Sequence, residues 1–305
     1  MVDVILSWPD PKRPQDAAPE MPGAMFDKLL TWLENEVHGQ LILHADWRNP
    51  PAYLEAALQR LSRSALHVKA CFFNHLPLDW LRRVLETGGS VILSGHSLGR
   101  LPLTEVADLF RASAPGRPAM AELFLALPRP DFNLPDIQAA CHAGLPLQNV
   151  ILGVGWPDFY AGPHPIPDPE RSAWARSLEQ AVTRLTRWGL ASRLACGLPL
   201  CLFSNEQLGR LAKRKIRLPL AHCAPGVMIA PDGALRACQR LGLPQPQIPG
   251  ANAPLNQITA AITQWLKPFR SLCPQAEQLV CRSAICGACG CGCLAEILGM
   301  WNKPN

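Results

Sequence analysis

No apolar run in this sequence is long enough to span a bilayer. The opening stretch, MVDVILSWPDPKRP, has no basic residues ahead of its short apolar run, and a secretory signal needs them. The expectation is a soluble, cytoplasmic chain whose thiols stay reduced and open to metals. A large charge imbalance is also missing, since the net charge of +5 is modest for 305 residues. The densest basic stretch, Arg210, Lys213, Arg214, Lys215 and Arg217, reads as a solvated helix end, with an anion or nucleic-acid patch as the weaker alternative. Neither a membrane nor a nucleic acid is therefore an expected partner. Hydrophobic residues make up 48%, enough for a sizeable core in one large domain, or in a domain with a smaller companion.

Cysteine is concentrated at one end. Six of the 12 cysteines fall in the 21 residues CPQAEQLVCRSAICGACGCGC, as Cys273, Cys281, Cys286, Cys289, Cys291 and Cys293. Gly287, Gly290 and Gly292 separate the last four. Several thiolates converge on one small inorganic centre only if the backbone curls tightly, and glycine supplies the necessary φ values. Cys286 and Cys289 form a C-x-x-C, a spacing at which two thiols can face one metal or cluster. Closely spaced Cys–Gly runs suit chelation better than disulfides in a chain with no expected secretory signal. Zinc and iron–sulfur both remain open at this point.

The first 190 residues alternate short apolar runs with amphipathic stretches. Strands are predicted at Val2–Trp8, Gln40–His44, Leu66–Phe73, Ser90–Ser94, Ala121–Leu127 and Val150–Gly153. Helices are predicted at Met25–Val37, Ala52–Leu61, Leu78–Leu85, Thr104–Phe110, Leu134–Cys141 and Glu170–Trp188. The strands are near-continuously apolar, as in a parallel sheet covered on both faces. Six βα units suggest a partial barrel, with an open doubly wound sheet as the other option. Past residue 190 the alternation stops and Cys196, Cys201, Cys223 and Cys238 appear, so a boundary is expected near Ser192. A proline-rich linker, Leu243–Pro254, leads to one more helix near Leu255–Phe269.

Cys223–Cys238 reads CAPGVMIAPDGALRAC, with Pro231-Asp232-Gly233 turning between two short strands. This segment resembles the SPASM or "twitch" auxiliary-cluster domain of radical SAM enzymes. CGLPLCLFSNEQLGRLA, Cys196–Ala212, is similar to the opening of such a domain, and CGCGCLAE resembles its closing C-x-G-G-C with an extra thiol at Cys291. The first 190 residues resemble the family's partial barrel with its SAM site damaged. The loop after the first strand, WPDPKRPQDAAPEM, has none of the three cysteines the family places there, and the first thiol in the chain is Cys71. His44-Ala45-Asp46 stands where the family has Gly-Gly-Glu. Asn74 and Ser94 match residues usual after the third and at the end of the fourth strand.

The resemblance implies an α/β fold: a partial (βα)6 TIM-like barrel over 1–190 and a cysteine-rich SPASM/twitch-like domain over 191–305. It implies one or two 4Fe–4S clusters. Cys223 and Cys238, with Cys196 or Cys201 and a terminal thiol, would form one site. Cys281, Cys286, Cys289 and Cys293 could form another, with Cys273 and Cys291 as further candidates. A radical SAM enzyme or a peptide substrate is the implied partner, and SAM cleavage by this chain alone is not expected. A zinc-stapled binding module and an active radical SAM-type peptide-modifying enzyme with a non-standard cluster are the alternatives.

One motif points elsewhere. Gly95-His96-Ser97-Leu98-Gly99 is a G-x-S-x-G after an apolar strand, like the nucleophile elbow of a serine hydrolase, with Asp158 and His222 in the required order. Arg100-Leu101-Pro102 fits the closely packed helix of an elbow poorly, and the bland reading is a glycine-rich loop. His38, His67, His75, His142 and His164 show no paired ligand spacing and read as surface or structural residues. Cys71 and Cys141 read as buried packing residues. Trp8, Trp47 and Trp156 fall at or just past predicted strand ends, where they either plug a substrate cavity or serve as ordinary packing residues.

Overall fold

The structure, a computed structural model, describes residues 2–7, 20–35, 40–73, 75–113, 119–132, 134–156, 164, 166–195, 202–213, 226–236 and 253–271. Six βα units run in order. Strands β1 (Val2–Ile5), β2 (Gln40–His44), β3 (His67–Phe72), β4 (Ser90–Ser94), β5 (Ala121–Leu127) and β6 (Leu147–Val154) precede helices α1 (Gly23–Glu34), α2 (Leu54–Leu61), α3 (Leu78–Glu86), α4 (Leu103–Ala112), α5 (Pro135–His142) and α6 (Arg171–Arg187). Strand β7 (Ala191–Leu194) and helix α7 (Asn205–Lys213) follow, then strands β8 (Val227–Ile229) and β9 (Leu235–Arg236) and helix α8 (Leu255–Ser271).

All nine strands form one sheet in the order β7-β6-β5-β4-β3-β2-β1-β8-β9. Every neighbouring pair is parallel except β8 with β9. The strand order never reverses between β1 and β7. A doubly wound sheet needs such a reversal to place helices on both faces; here the order reverses only after β7, where β8 joins the far edge of β1.

Alternate strand residues separate the two faces. Val4, Leu41, Leu43, Val68, Ala70, Val91, Leu93, Leu123, Leu125, Val150 and Leu152 belong to one large buried cluster with residues of all eight helices. Ile42, Cys71, Phe73, Ile92, Phe124, Ala126 and Ile151 form a second cluster on the other face. Among the described residues no helix contributes to the second cluster. The fold is therefore α/β, with a mostly parallel sheet and the eight described α-helices packed on one face, an arrangement compatible with a TIM-like fold.

Helix α1 shows why the helices dock this way. Phe26, Leu29, Leu30 and Leu33 repeat at helical spacing and all are buried. In α6 the buried stripe is Trp174, Ala175, Leu178, Ala181, Val182 and Leu185. The described residues after 190 continue the same core, since Leu194, Leu202, Phe203, Leu211, Val227, Ile229, Ile258 and Ile262 join the large cluster. Strand β7 thus spans Ser192, where the sequence suggested a boundary.

Candidate functional site

The helix-free face carries two groups of buried polar side chains among the described residues. At its amino end, Lys69 of β3 donates to Glu122 of β5 at 3.0 Å, and Arg193 of β7 donates to the other carboxylate oxygen at 3.3 Å. Lys69 and Glu122 are each 12% exposed at the side chain, and Arg193 is 41% exposed. Each cation skips a strand to reach the carboxylate. Neighbouring strands lie about 4.8 Å apart, so only long side chains leaning over the face can meet. Side-chain layers drawn from alternate strands are the packing scheme of TIM-like interiors. Beside them, His67 Nε2 lies 3.0 Å from the Ser90 hydroxyl.

Further along the same face, His44 meets Asp3 and Cys71. The His44 Nε2–H donates to Asp3 Oδ1 at 3.3 Å, and Cys71 Sγ lies 4.0 Å from the same nitrogen. His44 is 4% exposed and Cys71 is fully buried. Burial alone drives the imidazole toward its neutral form, but Cys71 and Asp3 outweigh it and raise the pKa from 6.5 to about 10. One N–H serves both partners. A protease-type triad differs, because it uses one ring nitrogen for the acid and the other for the nucleophile.

An aromatic row continues from His44 toward the carboxyl end of the sheet. His44 and Phe73 stack at 6.3 Å, Phe73 meets Phe124 edge-on at 5.7 Å, and Phe124 meets Trp156 edge-on at 5.3 Å. Phe73 and Phe124 are 5% and 3% exposed, while Trp156 is only half-buried. Gly153 makes room for Trp156: a Cβ there would meet Phe124 Cζ at 2.7 Å and Trp156 Cγ at 2.9 Å.

The residues singled out by the sequence fall as follows. Trp156 does cover the helix-free face. Trp47 does not: it stacks on Phe72 at 4.4 Å in the helix-side cluster, and its indole N–H donates to the Cys71 carbonyl at 2.7 Å. Trp8 lies outside the described residues. Asp46, at the Gly-Gly-Glu position of the resemblance, is clamped by Arg48, whose Nε and Nη2 donate to its two oxygens at 3.0 Å each. Burial would raise the Asp46 pKa, but Arg48 holds it below the usual carboxylate range. Ser7 Oγ accepts the Asp46 backbone N–H at 2.9 Å. Ser94 is buried at the end of β4, and Asn74 lies outside the described residues.

Gly95–Arg100 is a 3-10 helix. A Cβ on Gly95 would meet Leu125 Cδ2 at 1.9 Å, so close packing against β5 explains that glycine. Ser97 Oγ donates to the Phe73 carbonyl at 3.4 Å, and His96 Nε2 bonds the Ala126 carbonyl at 2.9 Å. Asp158 and His222 lie outside the described residues. Cys141 sits half-buried on α5, where burial pushes its thiol pKa up.

The ten candidate ligands, Cys196, Cys201, Cys223, Cys238, Cys273, Cys281, Cys286, Cys289, Cys291 and Cys293, all lie outside the described residues. The hairpin between Cys223 and Cys238 lies largely inside them. β8 and β9 pair antiparallel through Met228 with Arg236 and Ile229 with Leu235. The turn closes through the Gly233 N–H on the Ala230 carbonyl and the Ala230 N–H on the Ala234 carbonyl, with Gly233 at φ +78°. β8 runs parallel to β1, so the open end of the hairpin points toward the amino ends of the strands.

Sequence reasoning missed the Asp3–His44–Cys71 and Lys69–Glu122–Arg193 groups. The available signal was a polar residue at a face-alternating position inside an otherwise apolar strand, as in VDVI, HVKACF and AELFLAL. No family model and no curated protein matches the chain.

Proposed function

We propose that the chain is an iron–sulfur cluster-binding protein built on a partial (βα)6 TIM-like barrel, similar to radical SAM enzymes but without their SAM-binding cysteines. The β8–β9 hairpin is the observation that carries the reading. It sets Gly226 and Arg236 at one open end, three residues after Cys223 and two before Cys238. Spans of two or three residues reach at most about 7–11 Å, so the two thiols start from adjoining strands and can address one centre.

The donor set fits the group. Thiolates are soft ligands that suit iron–sulfur clusters and zinc. Cys223 and Cys238, with Cys196 or Cys201 and a terminal thiol, would hold one 4Fe–4S cluster, and Cys281, Cys286, Cys289 and Cys293 another. When bound, such a cluster supplies one-electron transfer or structural support. The barrel serves as a docking body for a radical enzyme or its peptide substrate. Arg48 already occupies the Asp46 carboxylate, which supports the absence of SAM cleavage.

Anaerobic purification with iron, zinc and acid-labile sulfide analysis tests the reading. The expected result is iron and sulfide in matching amounts with broad visible absorbance. Stoichiometric zinc without sulfide makes the chain a zinc-stapled module. Reconstituted, reduced protein given SAM is expected to form no 5′-deoxyadenosine above a protein-free control. Product that disappears on removing the Cys286–Cys293 thiols would establish the active-enzyme alternative.

A further inference from the structure

We propose that the outer face of α6 is a docking surface for an acidic segment of a partner protein. The inference deepens the partner named in the proposed function. It rests on the chain having a protein partner and not on its holding a cluster. Charge is unevenly placed along this chain. Residues 180–231 hold eight lysines and arginines against one acid, Glu206, although the whole chain carries only +5. Part of that surplus is displayed on α6. Arg176, Gln180, Arg184 and Arg187 follow one another at helical steps of four, four and three residues, so they share one stripe. All four are exposed, opposite the buried stripe that runs from Trp174 to Leu185.

The stripe differs from the other helices. Among the described residues, each arginine of α2, α3, α4 and α7 is ion-paired: Arg60, Arg82, Arg83, Arg111 and Arg210. Arg176, Arg184 and Arg187 have no such partner among them. The one carboxylate of α6, Glu179, is taken by Arg210. Like charges one turn apart, as at Arg184 and Arg187, destabilise a helix, and carboxylates laid across them would relieve the repulsion. The guanidinium fork matches a carboxylate through two parallel hydrogen bonds. From Arg176 to Arg187 the stripe runs about 16 Å at 1.5 Å per residue, the reach of about five extended residues. An extended acidic segment fits that length. Gln180 rather than an aromatic ring lies between the arginines, so a nucleic-acid base has nothing to stack on. The apolar face of α6, which a membrane would need, is buried in the core.

The test uses the full-length protein and a fluorescein-labelled polyglutamate peptide, with binding read by fluorescence anisotropy. One variant combines Arg176→Gln, Arg184→Gln and Arg187→Gln, since glutamine keeps helix propensity. A control combines Arg63→Gln, Arg100→Gln and Arg129→Gln, which removes the same charge from exposed positions outside the α-helices. The α6 variant is expected to bind about tenfold more weakly than the native protein, because three exposed ion pairs together are worth that much. The control is expected to keep native affinity. Native binding is expected to weaken as salt rises. The melting temperature of the α6 variant should match or exceed the native one, since the substitutions remove repulsion. Should that variant fold poorly, Arg184→Gln alone carries the test, with binding about twofold weaker. The proposal is overturned if the native protein does not bind the peptide or if the two triple variants lose affinity alike. It is also overturned if an oligouridine RNA or a phosphatidylserine vesicle binds through α6 more tightly than the peptide. Iron and sulfide analysis of the same preparations reads the cluster separately, so either reading can fail alone.

Discussion

The two faces of the sheet are made from alternate residues of the same strands, yet they solve burial differently. Among the described strand residues, the helix side is almost wholly apolar, as at Leu41, Leu43, Leu123 and Leu125, with buried Ser192 the exception on β7. The helix-free side mixes isoleucine and phenylalanine with Asp3, His44, Lys69, Glu122 and Arg193. On the helix side a polar group would need a partner from an amphipathic helix whose inner stripe is apolar. On the other side its partner comes from a nearby strand, as Asp3 does for His44 and Glu122 for Lys69. Among the described residues, the buried charged side chains of the sheet therefore gather on one face.

The strongest way to break that contrast is to move a charge by one residue. Leu123 is fully buried on the helix side, next to Glu122. Leu123→Glu is expected to cost roughly 5 kcal/mol or more, because the carboxylate finds no cation there. Circular dichroism should show loss of the folded state. Glu122→Ala is next, at about 3 kcal/mol, since Lys69 is left charged and largely buried. Replacing both partners, as Lys69→Met with Glu122→Leu, should recover most of that loss in urea denaturation. A double variant as unstable as the single one would place the value of the pair in the charges themselves.

His44 sharpens the contrast through pH. Its folded pKa lies above the ordinary value, at about 10. Its stabilising contribution is thus complete below about pH 6.5 and is lost as pH rises through 10. The urea midpoint of the native protein should fall across that window, and His44→Gln should flatten the fall. The smallest effect is expected from Ser90→Ala, which removes a hydroxyl contact to His67 for about 1 kcal/mol. Thermal unfolding resolves a change of that size.

Much of this was legible in the sequence. β2, β4 and β5 have their predicted bounds because each is a closed apolar run with breakers at both ends. The β8–β9 hairpin was legible because Asp232-Gly233 supplies the left-handed residue its turn requires. β7 was missed because ASRL reads as polar: Ser192 is buried, and Arg193 crosses the face to Glu122. β6 begins earlier than predicted, at Leu147, because Gln148 and Asn149 broke its apolar pattern. The Asp3–His44–Cys71 group was hidden by distance, with 41 and 27 residues separating His44 from its two partners. Each of the three was a lone polar or thiol residue until the strands paired.

The pairing of β1 with β8 sets a timetable for synthesis. Val2 pairs with Leu41 on one side and with Val227 on the other. The first partner is translated within seconds. Ribosomes add about 5–20 residues per second, so the second arrives roughly 10–45 s after Val2 itself. Until then the far edge of β1 presents unpaired backbone groups, a template for pairing with another nascent chain. Productive folding of this protein is therefore gated by the arrival of residues 227–229, and slowing translation between β7 and β8 should raise aggregation more than slowing it after β9.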